Sequence, residues 1–247
     1  MPDALRLAIG TFTRLPVAPP RLITRATAGQ AMALAPAIGV VLALVCGLPL
    51  LLAGGLLRQL LLATICVALL AWVTRALHLD GLADTADALG SGRPADQALA
   101  IARRSDIGPF GVVALVLALL LQVIALAACA DGMRGLLALI AAVLTSRVAL
   151  TWSCIRAWPA ARPDGLGATV AGSLPLVVPI LWSVVLAILA TAFLGIAGGI
   201  AAALGVAAAI LVLVVCRRRL GGVTGDVLGA VIEVSMTVAL VALALAN

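Results

Sequence analysis

Seven apolar runs constrain this chain more than any other feature. They fall at about 32–57, 59–79, 111–130, 135–155, 174–195, 197–216 and 228–246, each near the 20 or so residues that a helix needs to cross about 30 Å of hydrocarbon. Inside a bilayer each backbone N–H and C=O must be satisfied within the protein, which leaves helices and closed barrels as spanning structures. Runs of this length read as helices. Seven of them would use about 140 of the 247 residues and leave about 100 for polar work. The expected fold is one all-α, polytopic membrane bundle over residues 1–247, with the N-terminus in the cytoplasm.

Composition excludes the alternatives. The chain is 64% hydrophobic and 11% charged, against about 25% charged for a soluble domain. All five cysteines (Cys46, Cys66, Cys129, Cys154, Cys216) lie in or at the end of apolar runs with no C-x-x-C pair, so they read as small buried hydrophobes rather than a disulfide or metal framework. Pro36, Gly47 and Pro49 predict a kink or break toward the outer end of the first span; Pro175 and Pro179 fall in the first turns of the fifth, where proline is tolerated. Before residue 32, Leu5, Leu7, Ile9, Phe12 and Leu15 alternate with Arg6 and Arg14, the pattern of a segment lying at the headgroups.

The net charge of +6 is built from arginine alone. In a soluble protein it would point to nucleic acid; here the positive-inside rule absorbs it. With the N-terminus inside, thirteen arginines lie on the cytoplasmic side or at its boundary, Arg58 and Arg134 lie outside, and Arg147 sits within a span. The expected location is the cell membrane, multi-pass, with the C-terminus out. The acids then gain meaning: of ten carboxylates, Asp80, Asp84, Asp87, Asp96 and Asp106 fall in one cytoplasmic stretch between the second and third spans. A transporter would more often hold its ionisable groups at mid-span.

Leu77 to Ala88 reads Leu-His-Leu-Asp-Gly-Leu-Ala-Asp-Thr-Ala-Asp-Ala. On a helix continuing the second span, 100° per residue sets Asp84 about 40° and Asp87 about 20° to either side of Asp80, a stripe about 60° wide. Three anions so close repel, more strongly at a membrane boundary than in water, and they call for cations. A divalent metal with oxygen ligands meets the need, and Mg²⁺ commonly combines a few carboxylates with substrate phosphates; arginines neutralising a structural cluster are the alternative. Gly81, lacking Cβ, admits either a phosphate or a neighbouring helix to its backbone.

Two further stretches share that membrane side. Gly221-Gly222-Val223-Thr224-Gly225-Asp226-Val227-Leu228-Gly229 follows Arg217, Arg218 and Arg219 and opens the last span. A glycine-rich turn into a helix N-terminus offers N–H groups to phosphate, Asp226 stands where a carboxylate could join a metal, and Glu233 lies two turns deeper on the same face. The arginine triplet is read first as a membrane anchor. Arg103-Arg104-Ser105-Asp106-Ile107-Gly108-Pro109-Phe110-Gly111 enters the third span and combines a candidate ligand, Asp106, with candidate phosphate partners such as Arg104. His78, the only histidine, is expected to point away from the acidic stripe. Arg147 is expected either to contact an anionic substrate or to pair with Glu233.

Taken together, His78 to Asp87, Gly108-Pro109-Phe110-Gly111-Val112 and Gly221 to Gly229 with Glu233 resemble the cobalamin synthase family, the adenosylcobinamide-GDP ribazoletransferases, over essentially the whole chain. Phe12-Thr13-Arg14-Leu15-Pro16-Val17 fits the family's opening. The Asp80-Gly81-Leu82-Ala83-Asp84 segment is also similar to the start of the CDP-alcohol phosphatidyltransferase signature without matching it. The resemblance implies a Mg²⁺-dependent reaction of adenosylcobinamide-GDP with α-ribazole, or its 5′-phosphate, giving adenosylcobalamin, or its 5′-phosphate, and GMP. It implies Asp80, Asp84, Asp87 and Asp226 as catalytic metal-binding carboxylates, and Gly81, Arg104, Asp106, Gly222, Thr224, Gly225 and Arg147 as substrate contacts. The family often reads Arg-Asp-Ser-Arg where this chain has Arg103-Arg104-Ser105-Asp106, so Asp106 becomes the stand-in metal ligand for an aspartate replaced by Arg104. No nucleic-acid partner is expected, and the oligomeric state stays open. The rivals are a prenyl or phosphatidyl transferase, for which a second Asp-rich helix is lacking, and a transporter.

Overall fold

The computed structural model describes residues 1–104 and 106–247, and the regular structure among them is helical apart from two isolated bridges. Helix α1 (Asp3–Phe12) buries Ala4, Ala8 and Phe12, spaced four apart, and packs against α2 (Arg25–Gly47). Thr24 caps α2 by accepting from Thr27 N at 3.1 Å. Pro36 leaves α2 unbroken; the α-helix gives way only at a 3₁₀ turn, Leu48–Leu52, that begins around Pro49, the break expected at the outer end.

Helix α3 (Leu56–Val73) is shorter than the expected 59–79 span. Arg75 and Ala76 adopt left-handed φ of 57° and 53°, which no α-helix accommodates, so His78 and Leu79 belong to a separate helix, α4 (Leu77–Gly90). Then follow α5 (Ala95–Ile101), α6 (Pro109–Cys129), α7 (Met133–Ser153), α8 (Gly165–Val170), α9 (Val177–Leu220) and α10 (Gly225–Leu245). All five cysteines are buried thiols, as expected.

Six of these helices are long and apolar enough to cross a membrane. The longest, α9, has 44 residues and if straight would run about 66 Å, twice the hydrocarbon thickness. It is not straight: Gly195 has φ 70° and ψ −169°, a region open essentially to glycine alone. A Cβ on Gly198 would lie 3.0 Å from the carbonyl carbon of Ala190. Residues eight apart on a straight helix are separated by about 12 Å along the axis, so the chain doubles back, and Leu186 and Ala202 join one buried cluster across the hairpin. The arms, 177–194 and 196–220, coincide with the expected fifth and sixth spans.

Alternating directions bring Arg25, Val73, Pro109, Ser153, Val177, Leu220 and Gly225 to one end of the bundle. The other end is tied by Gln59 Nε2 donating to Ala130 O (2.8 Å) and Asn247 Nδ2 to Ala128 O (3.0 Å). At the first end, Arg14 N donates to Val73 O (2.8 Å). Helix α7 is the centre of the bundle, the most buried of the long helices, with α2, α9 and α10 packed around it. Its buried residues include no aromatic and alternate leucines with small side chains such as Gly135, Ala138, Ala142, Ser146 and Ala149, which let helix backbones approach closely where no hydrophobic force distinguishes protein from lipid.

Candidate active site

The site begins at the break between α3 and α4. Thr74 Oγ1 turns back to Leu70 O (2.8 Å), the two left-handed residues redirect the chain, and Arg75 Nη2 anchors the corner to Gly10 O of α1 (2.7 Å). Helix α4 thus lies against the start of α10 instead of extending α3. Gly81 and Gly229 make that approach: a Cβ on Gly81 would come 2.6 Å from Asp226 O and 3.1 Å from Gly229 Cα, and one on Gly229 would come 3.0 Å from His78 O. The space over Gly81 is therefore filled by α10. Of the two uses expected for this residue it has the helix contact, not an open phosphate seat.

The acidic stripe sinks as α4 proceeds: Asp80 is exposed, Asp84 half-buried and Asp87 buried at 7% exposure. Asp87 is held by the second motif. Both of its oxygens accept backbone N–H groups at the start of α6, Oδ2 from Gly108 (2.7 Å) and Oδ1 from Gly111 (2.9 Å). An ionised carboxylate there satisfies two donors that no helix can satisfy internally and faces the positive end of the α6 dipole. The glycines are required by this contact, since a Cβ on Gly111 would lie 2.5 Å from Asp87 Oδ2.

Asp84 carries the electrostatic signature of the site. Burial, then Asp80, Asp226 and Asp87, push its carboxyl up to about 6, with Arg162 opposing. Asp226 comes from the third motif, which opens α10 as expected. Thr224 is the N-cap: its Oγ1 accepts from Val227 N (3.2 Å) and lies 3.2 Å from Asp226 Oδ2, towards which Arg162 Nη1 approaches to 3.8 Å. Gly221, with φ 87°, ends α9. Gly222, expected to contact substrate, is pressed on the 159–161 segment instead; Val223 N donates to Pro159 O and Ala161 N to Val223 O, both at 2.9 Å.

A cavity of about 490 Å³ opens beside Asp80 and Asp226, with Asp84 and Asp87 outside its lining. Asp80, Asp226, Thr224 and Gly225 line it, so the first and third motifs meet there, and His78 forms part of its floor. Arg103, from the run that enters the third span, lines it too, with two charged residues that the motifs did not single out, Arg162 and Asp164. Arg103 Nη2 donates to both oxygens of Asp164 (2.6 and 2.8 Å), and Arg162 Nη2 to Leu99 O (2.8 Å). In the sequence Arg103 stands in the run read as offering phosphate partners, whereas Arg162 stands out only as a cytoplasmic-side charge. The signal that could have raised Arg162 and Asp164 is the short charged Arg162-Pro163-Asp164 run on the same membrane side as Arg103. Arg104 and Asp106 are exposed and outside the cavity lining.

Arg147 lies below, behind His78, in a separate enclosed space of about 20 Å³ with Gln122 and Glu233. Its Nη1 donates to Ser146 Oγ (3.0 Å), while Gln122 Nε2 donates to Glu233 Oε2 (2.8 Å) and lies 3.0 Å from Thr237 Oγ1. The two charges of this interior cluster are buried together, but no ion pair within 4.0 Å joins them among the described residues. Arg147 is thus apart from the large cavity in which it was expected to meet substrate.

Whether these residues suit a divalent cation is a question of donor chemistry. Among the described residues no three Asp, Glu, His or Cys side chains converge closely enough to hold a metal by themselves. Mg²⁺ does not need such a cage; it keeps water and takes one or two carboxylates with substrate phosphates. Asp80, Asp84 and Asp226 supply hard oxygens, and the neighbouring carboxylates add to burial in raising the Asp84 carboxyl. The donor set fits the ion.

The family model described as cobalamin-5-phosphate synthase matches residues 4–244. The adenosylcobinamide-GDP ribazoletransferase of Frankia casuarinae is 40% identical, covering 97% of this chain and 94% of the relative. That of a Nocardioides species is 41% identical over 98% of each, and that of Pseudomonas aeruginosa 38% identical over 99% of this chain and all of its own length. No solved structure matches.

Proposed function

The chain belongs to the cobalamin-5-phosphate synthase family, and on that premise we propose that its cavity carries out the ribazoletransferase reaction late in cobalamin biosynthesis. The cobinamide phosphate of adenosylcobinamide-GDP passes to α-ribazole or its 5′-phosphate, giving adenosylcobalamin or its 5′-phosphate and GMP. The observation that carries the reading is the meeting of Asp80 and Asp226 with Arg103 and Arg162 around one 490 Å³ space, a charge arrangement suited to a metal-chelated diphosphate.

In the reaction a ribose hydroxyl forms a new P–O bond to the cobinamide-bearing phosphorus, the bridging P–O bond breaks, and GMP departs. Nothing covalent is required of the protein, so positioning and charge neutralisation supply the rate. Asp80, Asp84 and Asp226 would hold Mg²⁺, which when bound neutralises diphosphate oxygens and the leaving phosphate. Thr224 fixes the start of α10, where the Gly225 backbone faces the cavity. With Asp226 Oδ2 engaged by Thr224 and approached by Arg162, Asp226 Oδ1 is the oxygen left either to complete the metal site or, in its place, to take the hydroxyl proton. Asp87 acts through α6, not on substrate.

Counting the hairpin arms of α9 separately gives seven crossings. Thirteen of the sixteen arginines then lie at the site end, which by the positive-inside rule is cytoplasmic. A transport role finds less support, since Glu233, the one mid-span acid, is bonded to Gln122. The test is incubation of purified protein with adenosylcobinamide-GDP, α-ribazole and Mg²⁺, followed by detection of GMP and a cobalamin product. A folded sample that makes neither removes the assignment.

A further inference from the structure

Two arginines at the cavity mouth are arranged in different ways. Arg162 is held: Nη2 is bonded to Leu99 O, its side chain is only 15% exposed, and its buried Nε has no hydrogen-bond partner among the described residues. Arg103 comes from the chain between α5 and α6 and reaches over to Asp164, the residue before α8. That contact uses Nη2 alone, and the two side chains are 55% and 63% exposed. An ion pair so open to water strengthens an equilibrium by no more than about fivefold. An arginine engaging a phosphate through two parallel N–H groups gives a far stronger, charge-assisted contact.

Charges of both signs line the cavity. The α4 and α10 side presents carboxylates, which a cation must neutralise; beside it stand Arg103 and Arg162 with Asp164, and Arg162 Nη1 comes within 3.8 Å of Asp226 Oδ2. A diphosphate diester carries two negative charges, and this lining offers it both carboxylates that would hold a metal and two arginines.

We infer that Arg103 and Arg162 form the diphosphate-binding wall of the site, and that Asp164 is a stand-in anion which the substrate's diphosphate displaces from Arg103. This rests on the ribazoletransferase reading and names the residues that grip its nucleotide substrate. Arg162 is the fixed partner and Arg103 the exchanging one. The acceptor, α-ribazole, has no part in this contact.

Arg103→Gln is the informative variant, because an exposed side chain can be changed without touching the core. Its KM for adenosylcobinamide-GDP should rise roughly 10- to 100-fold, with the KM for α-ribazole unmoved and Arg103→Lys recovering part of the loss. Equilibrium binding of GDP with Mg²⁺ should weaken in parallel. Asp164→Asn should act oppositely and tighten GDP by up to about fivefold, since the competing carboxylate is gone. Unchanged GDP affinity in Arg103→Gln, or weaker GDP binding in Asp164→Asn to the same extent as in Arg103→Gln, would overturn the inference by showing the pair to be structural. If wild-type protein makes no GMP from the two substrates, the reaction assignment fails; the GDP measurements still decide the phosphate wall by themselves.

Discussion

Replacing Asp87 by Asn separates a structural carboxylate from a catalytic one. The side chain is 7% exposed and accepts two N–H groups of α6, at 2.7 and 2.9 Å. Asparagine keeps one acceptor oxygen and turns its NH₂ towards the other N–H. One hydrogen bond to a charged group is lost, about 1.5–3 kcal/mol, along with the charge's attraction to the helix dipole, about 0.3–1 kcal/mol. A loss of about 2–4 kcal/mol follows. For a chain of this size 1 kcal/mol moves the melting temperature by about 2–4 °C, so the midpoint should drop by about 4–16 °C. Thermal unfolding of purified protein in detergent, followed by tryptophan fluorescence, measures it. Gly111→Ala should reproduce the drop, because its Cβ would lie 2.5 Å from Asp87 Oδ2. Asp84→Asn should behave inversely, melting at or above the wild-type temperature without metal while turnover disappears. An unshifted Asp87→Asn midpoint with lost turnover would refute the capping argument and return Asp87 to the metal.

The Asp84 carboxyl, raised from 3.8 to about 6, sets a pH dependence. The folded chain binds more protons there than the unfolded chain between those values, so metal-free protein should lose stability as pH rises from about 4 to 6, measured as a falling melting temperature. Metal binding requires the ionised form, so the Mg²⁺ concentration giving half-maximal rate should fall by up to about tenfold per pH unit below 6 and level off above about 7; a flat profile from pH 5 to 8 would exclude Asp84 as a ligand. Gly229→Ala should force α4 and α10 apart at His78 and Gly81, costing about 1–3 kcal/mol in thermal or denaturant unfolding. Gly195→Ala, at a backbone geometry open essentially to glycine, should cost about 1–3 kcal/mol in the same measurement.

Local chemistry was readable from the sequence where one helix carried it. The placement of Asp80, Asp84 and Asp87 on one face needed only the helical period, and the start of the last helix near Gly225 needed only the glycine-rich turn before it. What Asp87 does there was not readable, because its partners are 21 and 24 residues away in another helix. Gly81 and Gly222 announced close approach without naming the approaching group, which turned out to be α10 in one case and Pro159 in the other. The second span was read six residues too long, since apolarity continues through Thr74 to Leu79 while the backbone turns at Arg75 and Ala76. Arg162 and Asp164 escaped because their relation to Arg103 and the acidic motifs is purely tertiary.

The doubling back at Gly195 also fixes a matter of parity. Were α9 a single straight rod, the chain would cross the bundle once fewer before reaching Gly225, and α10 would begin at the far end. Asp226 would then stand a full membrane thickness, about 30 Å, from Asp80 and Asp84, however well each motif was preserved. The two halves of the acidic site meet because the number of passes between them is even when counted through this glycine. A residue that touches no substrate and lies at the opposite face of the bundle thereby decides whether the site exists.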